Sequence, residues 1–268
     1  LGIETQEKMN ILIIGDIVGK PGRHAVHQCM SRVKSEFNID FCVANGENVA
    51  GGFGIQPDSF KGLLDSGVDV VTTGNHIWSK KEARGILDTD ARLLRPLNYP
   101  AENPGRGWNI YECKGVSVGV LNLIGRVFMY PLDCPFKAAD KAVSEMATRT
   151  KIILVDMHAE ATSEKRAMGW FLDGRVSSVT GTHTHVMSAD EEILPSGTAY
   201  LTDIGMSGCV NSVIGVKKEL ILRKFLSGSP VKFEIAEELP YLFQAVVLSV
   251  DETTGRATKI ERIRQIVQ

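Results

Sequence analysis

Five short apolar runs, each ending in polar residues able to ligate a metal, constrain this chain more than any other feature. ILIIG (11–15) stops at Asp16, FCVA (41–44) at Asn45 with Glu47 and Asn48 beyond, and VVTTG (70–74) at Asn75 and His76. ILVDM (153–157) stops at His158, and VSSVTGT (176–182) at His183 and His185. A short apolar run without alternation reads as a strand buried on both faces, as in a helix-covered parallel sheet. Helical patterns over 21–37, 57–66 and 79–87 separate the first strands, so the connections are crossovers and the pairing parallel. Strand ends in such sheets open into the crevice where ligands bind, and five of them can converge on one point.

The rest of the chain is consistent with one α/β domain over 9–268, with residues 1–8 read as an upstream remnant. Residues 92–107 carry Pro96, Pro100, Pro104, Gly105 and Gly107, which predicts a long surface connection. A hairpin is expected over 108–123, helices over 136–148, 163–172 and 217–226, strands over 192–194 and 198–201, and a closing hairpin over 243–266. The 30 basic and 32 acidic residues among 268 leave a net charge of −2, which removes the long-range attraction to nucleic acid that a basic chain has. No apolar run approaches the ~20 residues that span a bilayer, and no secretory leader pattern opens the chain, so a cytoplasmic location is expected. Five scattered cysteines without a Cys-x-x-Cys pair suggest small buried hydrophobes rather than disulfides or a thiolate zinc site.

Taken singly, each polar group has a plain structural reading. Asp16 can cap a helix, Asn45–Asn48 is a good tight turn, Gly74-Asn75-His76 is a turn with a cap, and a lone His158 is an ordinary core residue. His24 and His27 lie within a helix and are read as structural. His183 and His185 stand two apart, on the same side of an extended segment, where both can reach one ion or a close pair. Glu47 has no turn role. Together the set mixes carboxylate, amide and imidazole donors, which suits iron, manganese or zinc, and it is too large for one ion and enough for two.

In their order, Asp16, Glu47-Asn48, Gly74-Asn75-His76, His158 and Gly181-Thr182-His183-Thr184-His185 resemble the calcineurin-like metallophosphoesterases. That pattern is Asp-x-His, Gly-Asp-x-x-Asp, Gly-Asn-His followed by an acid, a lone His, and Gly-His-x-His. The chain departs from it at Val18, Glu47 and Ile77. With the strings GDIVGKPGR, ANGENVAGGFG, TTGNHIW, DMHAEATSEK and GTHTHV, these departures are similar to the bacterial YmdB-like phosphodiesterase branch, over essentially 9–268.

The resemblance implies a four-layer αββα sandwich of the metallophosphoesterase type. It also implies a two-metal centre, often iron, and hydrolysis of phosphodiesters including 2′,3′-cyclic nucleotides. By position, Asp16, Glu47, Asn48 and His185 would hold one ion, and Glu47, Asn75, His158 and His183 the other. Glu47 would bridge, Asn48 would replace the ligand lost at Val18, and His76 would be the proton donor. Two divalent ions lower the pKa of a shared water and clamp a phosphoryl group for in-line attack. Their +4, set against −3 from Asp16, Glu47 and a hydroxide, leaves about +1 for a singly negative diester. The segment Gly19–Arg23 either offers N–H groups and basic charge to an anion or simply starts a helix. Trp78 is either a wall of the site or core.

Two other readings stand beside this one. The metal pair could serve a phosphomonoester or an RNA end, or the chain could be an RNA- or protein-binding scaffold with a non-catalytic metal site. An unligated His76 beside the ligands disfavours the scaffold. A link to RNA and a homo-oligomer are both compatible with the sequence.

Overall fold

The computed structural model describes residues 8–268. The chain begins β1 (Lys8–Ile14), β2 (Asp16–Ile17), α1 (Gly19–Glu36), β3 (Phe41–Asn45), α2 (Pro57–Asp65), β4 (Val70–Thr72), a 3₁₀ turn at Ile77–Ser79 and α3 (Ala83–Thr89). It continues β5 (Trp108–Cys113), β6 (Val116–Ile124), α4 (Pro135–Met146), β7 (Ile152–His158), α5 (Thr162–Leu172) and β8 (Ser178–Thr182). The last third is β9 (Glu192–Ile193), β10 (Ala199–Leu201), β11 (Met206–Cys209), α6 (Lys218–Ser227), β12 (Tyr241–Asp251) and β13 (Ala257–Val267). Among these residues no helix is long and apolar enough to cross a membrane. Of the expected upstream remnant, residues 1–7 lie outside the described residues; Lys8 opens β1 opposite Asp251.

Local rules explain the helices. Along α1 the buried residues Gly22, Ala25, Val26, Cys29, Met30 and Val33 recur at three- and four-residue spacing, which gives one apolar stripe. Pro57 starts α2, where the Gln56 and Ser59 side chains form a reciprocal capping box. Burying each large side chain of such a stripe contributes about 1.5–3 kcal/mol.

The strands form two sheets. One, of seven strands, runs β2-β11-β12-β1-β3-β4 with β13 on the other edge of β12; the second, of six, runs β5-β6-β7-β8-β10-β9. Alternation along β1 sorts the layers: Leu12 and Ile14 face α1, α2 and α3 together with Val26, Met30, Phe60 and Leu87. Met9, Ile11 and Ile13 face the opposite way and pack with Val118, Val120, Ile152 and Leu154 of the second sheet. The outer side of that sheet packs Leu123, Ile153 and Val155 against Val143 of α4 and Met168 of α5. The architecture is therefore helix, sheet, sheet, helix: the four-layer αββα sandwich.

Three sequence expectations need correction. Residues 92–107 are not a surface connection: Leu93 and Leu94 are fully buried, and Leu93 bridges to Val71 of β4. The buried Arg95 guanidinium donates to the carbonyls of Pro96, Leu97, Asn103 and Pro104, so the proline-rich segment folds around a cation that satisfies its backbone. Strands β2 and β11 were not foreseen. They pair in parallel, Asp16 opposite Met206. Here the chain leaves β1 at Gly15, where a Cβ would lie 2.1 Å from the Gly205 carbonyl oxygen. Finally, Cys113 and Cys134 are only half-buried, unlike Cys29, Cys42 and Cys209.

Candidate metal centre

All five polar strand ends arrive on one side of the two sheets. The seven-stranded sheet brings Asp16 on β2, Glu47 and Asn48 beyond β3, and Asn75 beyond β4; the second sheet brings His158 at the end of β7, and His183 and His185 beyond β8. Asp16, Glu47, Asn48 and His158 are buried, and the other three are partly so.

Contacts join all seven side chains into one cluster. His158 Nε2 lies 3.2 Å from Glu47 Oε1, 3.0 Å from Asn75 Oδ1 and 3.1 Å from His183 Nδ1. Glu47, His158 and His183 offer donor atoms all within 4.8 Å of one another, a spacing a single ion can draw together. The same Glu47 Oε1 lies 3.2 Å from the Asn48 amide, which is 3.1 Å from His185 Nε2, itself 3.6 Å from Asp16 Oδ1. Asp16 Oδ1 has no hydrogen-bond partner, although it is buried, and such an orphaned carboxylate oxygen is what a cation would satisfy. The donor set fits divalent metal on that ground. Gly74 guards the space: a Cβ there would lie 2.2 Å from His158 Nε2 and 2.5 Å from Glu47 Oε2.

Neighbouring groups orient the imidazoles. The Thr182 hydroxyl donates to Asp156 at 2.7 Å and so accepts from His158 Nδ1 at 2.8 Å, which aims Nε2 into the cluster. Asp156 also accepts from Thr72 at 2.5 Å and Asn45 at 3.1 Å. His185 Nδ1 donates to the Ile214 carbonyl at 3.0 Å, while His183 Nε2 lies 3.2 Å from Glu160 Oε2. Both residues sit at positive φ, +97° for His183 and +63° for His185. That is strained backbone for a non-glycine residue, of the sort that functional sites retain.

The charges oppose one another. Burial works against the Asp16 carboxylate, yet His185 and His158 hold it far below the usual range. Burial likewise disfavours the Glu47 carboxylate, but His158 holds it down. Burial pushes Asp156 up to about 6. His183 is pushed down to about 4 by burial and the adjacent His158. His185, despite its burial, is carried up to about 9 by Asp16 and the Ile214 carbonyl.

His76 stands apart from the donors. Its backbone N–H donates to Glu47 Oε2 at 3.0 Å, its ring meets Phe53 edge-on at 4.9 Å, and burial lowers its pKa. Val18 and Ile77 are buried apolar residues. Trp78 packs on Tyr99 at 5.6 Å beneath Arg84, the packing role rather than a wall. The Gly19–Arg23 segment starts α1 and offers little to an anion. The Gly19 N–H donates to the Asn48 carbonyl, the Gly22 N–H to the Val18 carbonyl, and Arg23 to the Val49 carbonyl. Sequence reasoning noted Asp156 only as part of Asp156-Met157-His158 and gave no role to Glu160, Lys165 or Asp203. Only Asp156 had a visible signal, a carboxylate inside a buried strand.

Residues 12–263 match the YmdB-like protein family. The chain belongs to that family. A 2′,3′-cyclic-nucleotide 2′-phosphodiesterase of Bacillus subtilis (strain 168) is 46% identical over 255 residues, which cover 95% of this chain and 96% of that one. Two crystal structures are similar along nearly all of this YmdB-like chain. A novel phosphatase from Mycoplasma pneumoniae has TM-score 0.92 and 34% identity, with coverage of 98% of this chain and 95% of that one. A protein from Thermus thermophilus has TM-score 0.91 and 41% identity, with coverage of 97% of this chain and 100% of that one. The fold of the YmdB-like chain is thus that of the metallophosphoesterases.

Proposed function

We propose that the chain is a metal-dependent phosphodiesterase that hydrolyses 2′,3′-cyclic nucleotides at a two-ion centre. The observation that carries this reading is the position of Glu47. Its Oε1 touches both the His158 imidazole and the Asn48 amide; Asn75 and His183 join through His158, and His185 and then Asp16 through Asn48. Glu47 would bridge the two ions, with three further donors joined to it through His158 and three through Asn48. Imidazole, amide and carboxylate together accept iron, manganese and zinc alike; the family resemblance makes iron the first choice.

Two divalent ions held there would supply Lewis acidity and lower the pKa of a bound water. The protein's own groups do the rest. Asn48 and Asn75 ligate without adding negative charge, so the anionic diester is not repelled. Asp156 and Thr182 fix the tautomer of His158. His76 is anchored through its backbone to Glu47 and stays outside the donor set, where its imidazole protonates the departing ribose oxygen. The identity to the Bacillus subtilis enzyme supports the cyclic substrate.

The test combines element-resolved metal analysis with turnover of 2′,3′-cyclic AMP, 3′,5′-cyclic AMP and a phosphomonoester. Two ions per active chain and preference for the 2′,3′-cyclic ester are expected. One ion in fully active protein, or preference for the monoester, would overturn the reading. Glu47→Gln should lower occupancy of both ions together.

A further inference from the structure

Beside the cluster, a cavity of about 270 Å³ is lined by Asn75, His183, Phe128, Met129 and Tyr130. Its polar floor belongs to the proposed metal centre, and its other wall is apolar. Phe128 is 90% exposed and Tyr130 65%, two large rings that contribute little to the core. Met129 between them points inward and packs against both helix-facing cores. The loop after β6 therefore presents one ring, inserts an anchor, and presents a second ring.

This loop is built. Glu164, buried on α5, accepts the N–H groups of Arg126 at 3.0 Å and Val127 at 3.2 Å. Gly125 allows that approach, since a Cβ there would lie 2.4 Å from Glu164 Oε2. At the far end Asn98 donates to the carbonyls of Ile124 and Asp133, at 2.8 and 2.9 Å. Between these clamps Phe128 is held at φ +61°, an unusual conformation for a bulky side chain. A strained, anchored loop that holds two rings in water is preorganised for a flat partner.

We infer that Phe128 and Tyr130 form a stacking platform for the nucleobase of the substrate, next to the donors Asn75, His158 and His183 that would hold an ion. The inference rests on the phosphodiesterase reading and narrows it: the substrate is a nucleotide read partly by its base. Stacking tolerates any base and favours the larger purine face. The cavity, about 270 Å³, has room for one base.

The test compares Phe128→Ala, Phe128→Trp and Tyr130→Ala with the parent on 2′,3′-cyclic AMP and on ribose 2′,3′-cyclic phosphate, which lacks a base. Each alanine change should lower kcat/KM for the nucleotide roughly 5- to 100-fold, mainly through KM, the range of base–aromatic stacking. The loss on the abasic ester should be at least 5-fold smaller, and tryptophan should preserve nucleotide turnover. Equal losses on the two esters, or none, would overturn the platform. Calorimetric binding of adenosine 3′-monophosphate against inorganic phosphate separates the two readings. If the parent hydrolyses neither ester but binds the nucleotide in a Phe128-dependent way, the platform stands and the phosphodiesterase reading falls. If Phe128→Ala binds the nucleotide as well as the parent does, the platform falls.

Discussion

Lys165 Nζ lies 2.7 Å from Asp203 Oδ2, with both side chains sealed from solvent. The same oxygen accepts the Thr184 hydroxyl at 2.8 Å and its N–H at 3.2 Å. An α5 cation thereby fixes the carboxylate that grips the middle of His183-Thr184-His185. Removing one member of a buried pair leaves an uncompensated charge and costs about 3–5 kcal/mol. Lys165→Met should lower stability by that order in urea denaturation. Adding Asp203→Asn to it should recover part of the loss.

Gly74→Ala tests the cradle directly. The new Cβ would fall on the His158 ring and the Glu47 carboxylate, both fixed by packing. Metal affinity should drop by roughly 10–100-fold, the range seen when ligand orientation is disturbed. Metal titration followed by calorimetry reads this, with circular dichroism showing retained secondary structure.

The pH dependence follows from His185. In chelator-treated protein its folded pKa of about 9 lies above the ordinary 6.5. The stabilisation from its contact with Asp16 is whole below pH 6.5 and is lost as pH rises through about 9. The urea midpoint of the stripped protein should fall across that window, and His185→Gln should flatten the fall. On the proposed assignment, a metal binding at His185 displaces the same proton, so apparent affinity should climb up to about tenfold per pH unit until the group has titrated. A pH-independent affinity would remove His185 from the ligand set.

His76→Ala separates chemistry from metal holding. A positioned general acid contributes about 10²–10⁴ in rate. The variant should keep its metal content and lose that order of turnover on 2′,3′-cyclic AMP. A nitrophenyl diester, whose leaving group needs little protonation, should lose much less. Equal losses with both substrates would reassign His76 to charge stabilisation.

The parallel strands and the convergence of their ends were legible because buried parallel strands are apolar throughout, so a polar residue at their end stands out; the four layers came from the family resemblance. Asp16, Asn75 and His158 were visible for that reason. Strand β11, Met-Ser-Gly-Cys, was not, because small residues selected for close packing carry no period. Residues 92–107 were misread because proline and glycine signal a turn equally well inside and outside. Nothing local announces that Arg95 will be buried to satisfy their carbonyls. Lys165 and Asp203, 38 positions apart, form a pair that only the fold creates.

The cluster draws Asp16, Glu47, Asn48 and Asn75 from one sheet and His158, His183 and His185 from the other. An ion held by donors from both acts as a clasp across the sandwich, and its binding free energy becomes cohesion between the halves. At a hundredfold excess over Kd that is about 2.7 kcal/mol per site. In such an enzyme, depletion of metal removes catalysis and loosens the seam along which the two halves of the protein meet.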